Sequence, residues 1–306
     1  MASAKRQTPR KRSTGGTVFN ALNTLVFALF TLLCVFPFYY LFINTISNND
    51  LVQMGQVNFY PRGMHLSNYL ALLDVDDLGV SAVVTIQRTF LGTLTMVAAS
   101  AFVGYLVTQQ KMPRRKLIYR SIIITMYFNA GLIAWYVNMS MLGFVGNFWG
   151  YIIPAIVQPF NIILVKTYVE TIPGELEESA FMDGAGYFTV FSRIILPLCK
   201  PILATIAVFG AVGQWNSFMD SIILMGSKPE LYTLQHRLYM YLNKATNLSK
   251  LMESGGTLTQ ADVTSALNNR VISLTIAMVT IIPILLVYPF MQRYFQKGIM
   301  LGAVKG

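Results

Sequence analysis

The sequence predicts an all-α polytopic membrane protein with six transmembrane helices, and three observations predict it. Of the 306 residues, 54% are hydrophobic and only 12% are charged, about half the ~25% charged share of a soluble globular domain. Six stretches are mostly apolar over the ~20 residues a helix needs to cross hydrocarbon: roughly 18–46, 85–108, 117–137, 149–170, 199–225 and 271–291. The net charge of +10 comes from bases at the amino end and in short loops beside apolar runs, which is the membrane pattern and not a nucleic-acid-binding stripe. No nucleic-acid partner is expected. Cys34 and Cys199 are the only cysteines, and both lie in or beside apolar runs, so neither a disulfide framework nor a thiolate metal site is expected.

Taken in order, the tail 1–17 carries Lys5, Arg6, Arg10, Lys11 and Arg12 and no acid. It is expected in the cytoplasm, against anionic lipid. The first span is too long for a signal peptide and lacks a small-residue cleavage site; Pro37 predicts a kink in its outer third. The segment 47–84, with its acidic "LLDVDDLG", then falls outside, and "QQKMPRRK" (109–116) returns inside. The polar stretch 226–270 falls outside again. A helix over 231–252 is predicted there, ended by Gly255 and Gly256. The tail "QRYFQKGIMLGAVKG" ends inside with Arg293, Lys297 and Lys305. Both termini are thus expected in the cytoplasm, with residues 18–306 forming one transmembrane domain in a cell membrane. The glycine pairs Gly146/Gly150 and Gly210/Gly213 suit close helix approach.

The loop 171–198 breaks the charge rule, because acids outnumber bases on the cytoplasmic side. "TIPGELEESAFMDGAG" (171–186) predicts a short helix begun by Thr171 or Pro173. Glu175, Glu177 and Glu178 lie at the positive end of its dipole, and Gly184 and Gly186 form its terminal corner. Ser179, Ala180 and Ala185 are small enough for another backbone to approach, and Leu176, Phe181 and Met182 offer an apolar face. Such a helix fits the groove of a soluble partner. The alternative, a connector on the bilayer surface, matches an acidic face poorly.

The same stretch resembles the "EAA" loop of binding-protein-dependent ABC importer permeases. Glu178-Ser179-Ala180, Gly184, Ile194, Leu196 and Pro197 stand at that spacing, with Ser179 for the first alanine as the one departure. "YFQKGIMLGAVKG" (294–306), "FYPRGMHLSNYLALL" (59–73) and "GQWNSFMDSIILM" (213–225) are similar to the carbohydrate-uptake subfamily, typified by the smaller maltose-type permease subunit. The resemblance runs from residue 18 onward. It implies a type I permease fold forming half of a translocation path for oligosaccharides. It further implies coupling to an ATP-hydrolysing subunit through Glu175, Glu177, Glu178, Ser179, Ala180, Asp183 and Gly184. The implied partners are a second, different permease subunit, the ATPase subunits and an extracellular or periplasmic solute-binding protein. No cofactor is expected in this chain: it has no G-x-x-x-x-G-K-[ST] phosphate loop, and ATP and Mg²⁺ would be bound by the ATPase. The chain is expected not to be an enzyme.

Sugars are held by aromatic faces and by amide or hydroxyl hydrogen bonds. Candidates for the substrate path are Asn129, Trp135, Tyr136 and Asn138 in the third span, Asn161 in the fourth, and Gln214, Trp215 and Asn216 in the fifth. Each serves equally well as a helix–helix hydrogen bond or an interfacial aromatic. An ion-coupled transporter would want ionisable groups at the bilayer midplane; here Arg88, Arg120 and Lys166 are expected near span ends, with no acid mid-span. His65 and His236 have no metal-ligand spacing. Permeases for amino acids, phosphate or metals share the loop and remain the nearest alternative.

Overall fold

The computed structural model describes residues 14–73, 77–253 and 260–298. It divides into two compact units at Asn68/Tyr69. The first unit is built on α1 (Thr14–Thr45), with Pro37 inside an unbroken helix. Large apolar side chains from Val18 to Phe42 are exposed along its length, as in a helix whose neighbours are lipid or another chain. The turn after it is held by polar atoms. Asn48 N–H donates to the Arg62 carbonyl at 2.9 Å and His65 N–H to the Ile46 carbonyl at 2.9 Å. Asn68 Nδ2 donates to the Thr45 carbonyl, also at 2.9 Å.

In the second unit the helices that matter here are α2 (Leu78–Leu106), α3 (Arg115–Tyr127), α4 (Leu132–Met141), α5 (Pro159–Val169), α6 (Glu175–Met182), α7 (Lys200–Asn216), α8 (Met219–Leu224), α9 (Leu234–Glu253) and α10 (Gln260–Gly298). α2 is the hub: α7 and α5 pack along it and α9 against it, while α10 packs on α9 and α7. Between helices in lipid there is little hydrophobic drive, so shape fit and buried hydrogen bonds hold such packing. Gly104 shows the fit, since a Cβ there would lie 2.8 Å from Val165 Cγ1.

Among the described residues, three helices are long and apolar enough to cross a membrane by themselves: Val18–Thr45, Leu78–Leu106 and Arg270–Pro289. Three bent pairs bring the total to as many as six. The bends correct the expected straight spans. Residues 117–137 are not one helix, because α3 and α4 meet at 120°. Gly131 takes φ +83° at the break, and its N–H is held by Asn129 Oδ1 at 2.9 Å. In the fourth span, Trp149–Ala155 and α5 differ by 44°. Gln158 is extended there, the conformation that a following proline imposes. The expected fifth span 199–225 ends at Asn216, and Ser217 turns the chain into α8. Tyr187–Leu198 approaches α7 at 78°, where Pro201 in the first turn of α7 lacks an N–H to continue the preceding ladder. The second span begins at Leu78, seven residues before the expected 85. α9 begins near the expected 231; Gly255 and Gly256 lie outside the described residues.

Candidate functional site: a loop helix and a polar cleft

The loop helix α6 spans Glu175–Met182 and ends at Asp183. Gly184 then takes φ +82°, a left-handed corner that costs a residue with Cβ about 1–2 kcal/mol. The helix has two distinct sides. Ala180, Phe181 and Ala185 pack on the cluster of Tyr105, Val165, Val169, Val190, Ile195, Cys199, Ile202 and Ile206. Phe181 also meets the Tyr187 ring edge-on at 5.0 Å. Glu177 Oε2 accepts from Gln109 Nε2 at 3.0 Å. Glu175, Leu176, Glu178, Ser179, Met182 and Asp183 are exposed. This corrects the expected face: Phe181, Ala180 and Ala185 serve the chain's own core, and Leu176 and Met182 alone carry the apolar share of the free side.

At a second place, α2, α5, α7 and the Ser217 turn enclose a cleft of about 400 Å³. Its polar lining is Arg88, Gln158, Asn161, Gln214, Ser217 and Asp220, with Phe160 and Phe209 as aromatic walls. Arg88 is 2% exposed, so its charge must be met within the protein. Nη2 lies 2.5 Å from Asp220 Oδ2 and Nη1 lies 3.1 Å from Oδ1. Nη1 also donates to the Ser217 carbonyl at 3.1 Å, and Nε donates to Gln214 Oε1 at 2.8 Å. The guanidinium plane sits over the Tyr151 ring, 4.5 Å from its centroid. Asp220 Oδ1 additionally accepts from Ser221 N–H at 2.9 Å and from Ser217 Oγ at 3.1 Å. Next door, Ser221 Oγ lies 2.9 Å from Nδ1 of the buried His236 on α9. Burial, aided by Arg237 and opposed by Asp220, drives the His236 pKa down to about 4. The ring is therefore neutral at physiological pH, and it shares one hydrogen bond with Ser221 through Nδ1.

Of the sequence-predicted path residues, Asn161 and Gln214 line this cleft. The others do not. Asn129 holds the bend at Gly131, Tyr136 is exposed on α4, and Trp135 packs with Val84, Met139 and Tyr151. Trp215 donates Nε1–H to the Thr280 carbonyl on α10 at 2.9 Å, and Asn216 Oδ1 accepts from Gln235 Nε2 at 3.2 Å. Sequence reasoning missed Arg88 and Asp220 because starting the second span at 85 put Arg88 at its edge. The signal was there: one lone base and one lone acid within apolar stretches are costly unless paired. Among the expected glycine contacts, Gly210 faces Met96 and Gly150 faces the Phe144 carbonyl. Gly146 instead makes a turn at φ +66°. Gly213 borders the cleft with open space where a Cβ would be.

No family model matches the chain. It is 31% identical over 291 residues to protein LplC of Bacillus subtilis (strain 168), covering 95% of this chain and 96% of that protein. It is 30% identical over 278 residues to the polygalacturonan/rhamnogalacturonan transport system permease protein YtcP of the same organism, covering 91% and 95%. This is a carbohydrate ABC importer permease. A solved structure described as a bacterial ABC transporter involved in the import of the acidic polysaccharide alginate contains a similar chain. The two agree with a TM-score of 0.81 at 28% identity, over 94% of this permease and 100% of that chain. The permease is thus a membrane-spanning subunit of a sugar importer and not an enzyme. Its family works with a partner permease, an ATPase and a solute-binding protein.

Proposed function

We propose that this permease forms half of the translocation path of an ATP-driven oligosaccharide importer and receives its driving force through α6. The second half is a different permease subunit. A solute-binding protein delivers sugar to the segments 47–84 and 226–270 on the outside, and both termini lie in the cytoplasm. ATP and Mg²⁺ sit on the ATPase, whose groove takes α6. The observation that carries the reading is the two-sidedness of α6. Phe181 and Ala180 anchor it to the core shared by α5 and α7, while Glu175, Glu178, Leu176, Ser179 and Met182 stand free. A push on the free side is therefore delivered to the spans that border the cleft. Glu178 is the residue expected to face basic or amide groups in the groove, with Glu175 and Asp183 beside it, Glu177 tying α6 to the 109 turn, and Gly184 shaping its exit. The oligosaccharide assignment draws on relatives such as the arabinooligosaccharides transport system permease protein AraQ of B. subtilis, 26% identical over 297 residues.

The test is a tagged purification in mild detergent of the wild type and Glu178→Lys. Wild type is expected to bring down an ATPase and a second permease; the variant is expected to keep the permease and lose at least ~10-fold of the ATPase. Equal ATPase recovery with both would return α6 to the role of a surface connector.

A further inference from the structure

We infer that the Arg88–Asp220–Gln214 cleft is a saccharide-reading site within this subunit, and that it selects uncharged sugar units over acidic ones. The inference rests on the sugar-import reading but not on the docking of α6. The cleft, about 400 Å³, falls in the ~300–1,000 Å³ range of small-ligand sites. Its walls combine aromatic rings, Phe160 and Phe209, with the amides Gln158, Asn161 and Gln214, the pairing that a ring with one apolar face and a rim of hydroxyls requires. The amides are held in place. Gln214 is 9% exposed; its Oε1 is taken by Arg88 Nε, while Nε2 lies against Gly92 and has no hydrogen-bond partner among the described residues. That amide is placed to donate to a guest in the cleft. Asn161 spends Nδ2 on the soft sulfur of Met96 at 2.9 Å, which leaves its carbonyl oxygen for a hydroxyl donor.

The charge preference follows from the ion pair. Among the described residues, Arg88 is the only base lining the cleft and Asp220 the only acid, so their charges balance. Arg88 has no charge to spare: its guanidinium is paired with both carboxylate oxygens and stacked on Tyr151. The side chain of Asp220 is the more exposed partner, at 19% against 3% for Arg88. A uronate carboxylate entering the cleft would therefore meet the acid and not the base. To bind, it would have to displace Asp220 and leave a buried charge unpaired. A neutral hydroxyl meets no such barrier and can donate to Asp220. The wild-type cleft thus differs in chemistry from what the transport of an acidic polysaccharide would demand of it.

The experiment uses the complex containing this chain, purified without binding protein and placed in lipid nanodiscs, with thermal unfolding read against added sugar. Maltotriose and arabinotriose serve as uncharged probes and trigalacturonate as the acidic probe. The uncharged trisaccharides are expected to protect at concentrations at least ~10-fold lower than trigalacturonate. Gln214→Leu is expected to weaken that protection at least ~10-fold. Gly213→Leu fills the cleft from a position where an added Cβ meets nothing within 4 Å, so it should abolish protection while the sugar-free melting temperature holds. Equal or stronger protection by trigalacturonate would overturn the charge preference. No protection by the uncharged probes, or undiminished protection in Gly213→Leu, would overturn the site. Either failure is separable from α6 docking, which the Glu178→Lys purification reads independently.

Discussion

Arg88 and Asp220 are costly residues in an apolar bundle, and the structure makes each the solution for the other. The pair satisfies both carboxylate oxygens and is extended by Gln214, Ser217 and Ser221, so each ion is stabilised by several hydrogen bonds as well as by its counter-charge. Removing one partner strands the other, a loss of about 3–5 kcal/mol for a buried pair. Asp220→Ala is therefore expected to lower the melting temperature and the yield of purified complex severely. Arg88→Met combined with Asp220→Leu is expected to recover much of that loss while changing the cleft's polarity. Unfolding in detergent followed by tryptophan fluorescence checks both. A double variant no better than the single one would mean that the hydrogen bonds to Gln214 and Ser217 matter more than the charges.

At the level of elements, α6 illustrates what local rules specify. Three glutamates in its first turn complement the helix dipole, and the chain leaves through Gly184 at φ +82°. A Cβ at Gly184 would meet nothing within 4 Å, so substitution there tests backbone strain without a steric clash. Gly184→Ala is expected to destabilise the corner by about 1–2 kcal/mol, which raises limited-proteolysis rates within 171–198 by roughly 5–30-fold. Gly184→Asn is expected to suffer less, because asparagine tolerates the left-handed region better. Equal rates for all three forms would show that the corner opens freely. The two-sidedness of α6 was not legible in the same way. Phe181 and Met182 are adjacent apolar residues, and only the Tyr105–Ile206 cluster decides that Phe181 turns inward while Met182 is 87% exposed.

For the whole molecule, the proposed orientation, with both termini in the cytoplasm, rests on the bases at both ends and at 109–116. In a background of Cys34→Ala and Cys199→Ala, a membrane-impermeant maleimide added to intact cells is expected to label Asn58→Cys at once. Lys11→Cys is expected to be labelled only after permeabilisation. The reverse pattern would invert the topology and put α6 on the wrong side for an ATPase.

The sequence by itself determined the class, the apolar stretches, the family and the short acidic helix. These depend on composition, on hydrophobic run length and on residue spacing along the chain, all of which are local quantities. Only the tertiary structure decided that residues 117–137 double back at Gly131, that Trp215 is tied to α10, and that Gln214 and Asn161 share one cleft while Asn129 and Asn216 do not. The pairing of Arg88 with Asp220, 132 positions apart, belongs with these. Where a polar side chain in a membrane bundle points is settled by which distant group can satisfy it, and hydropathy along the chain holds no record of that choice.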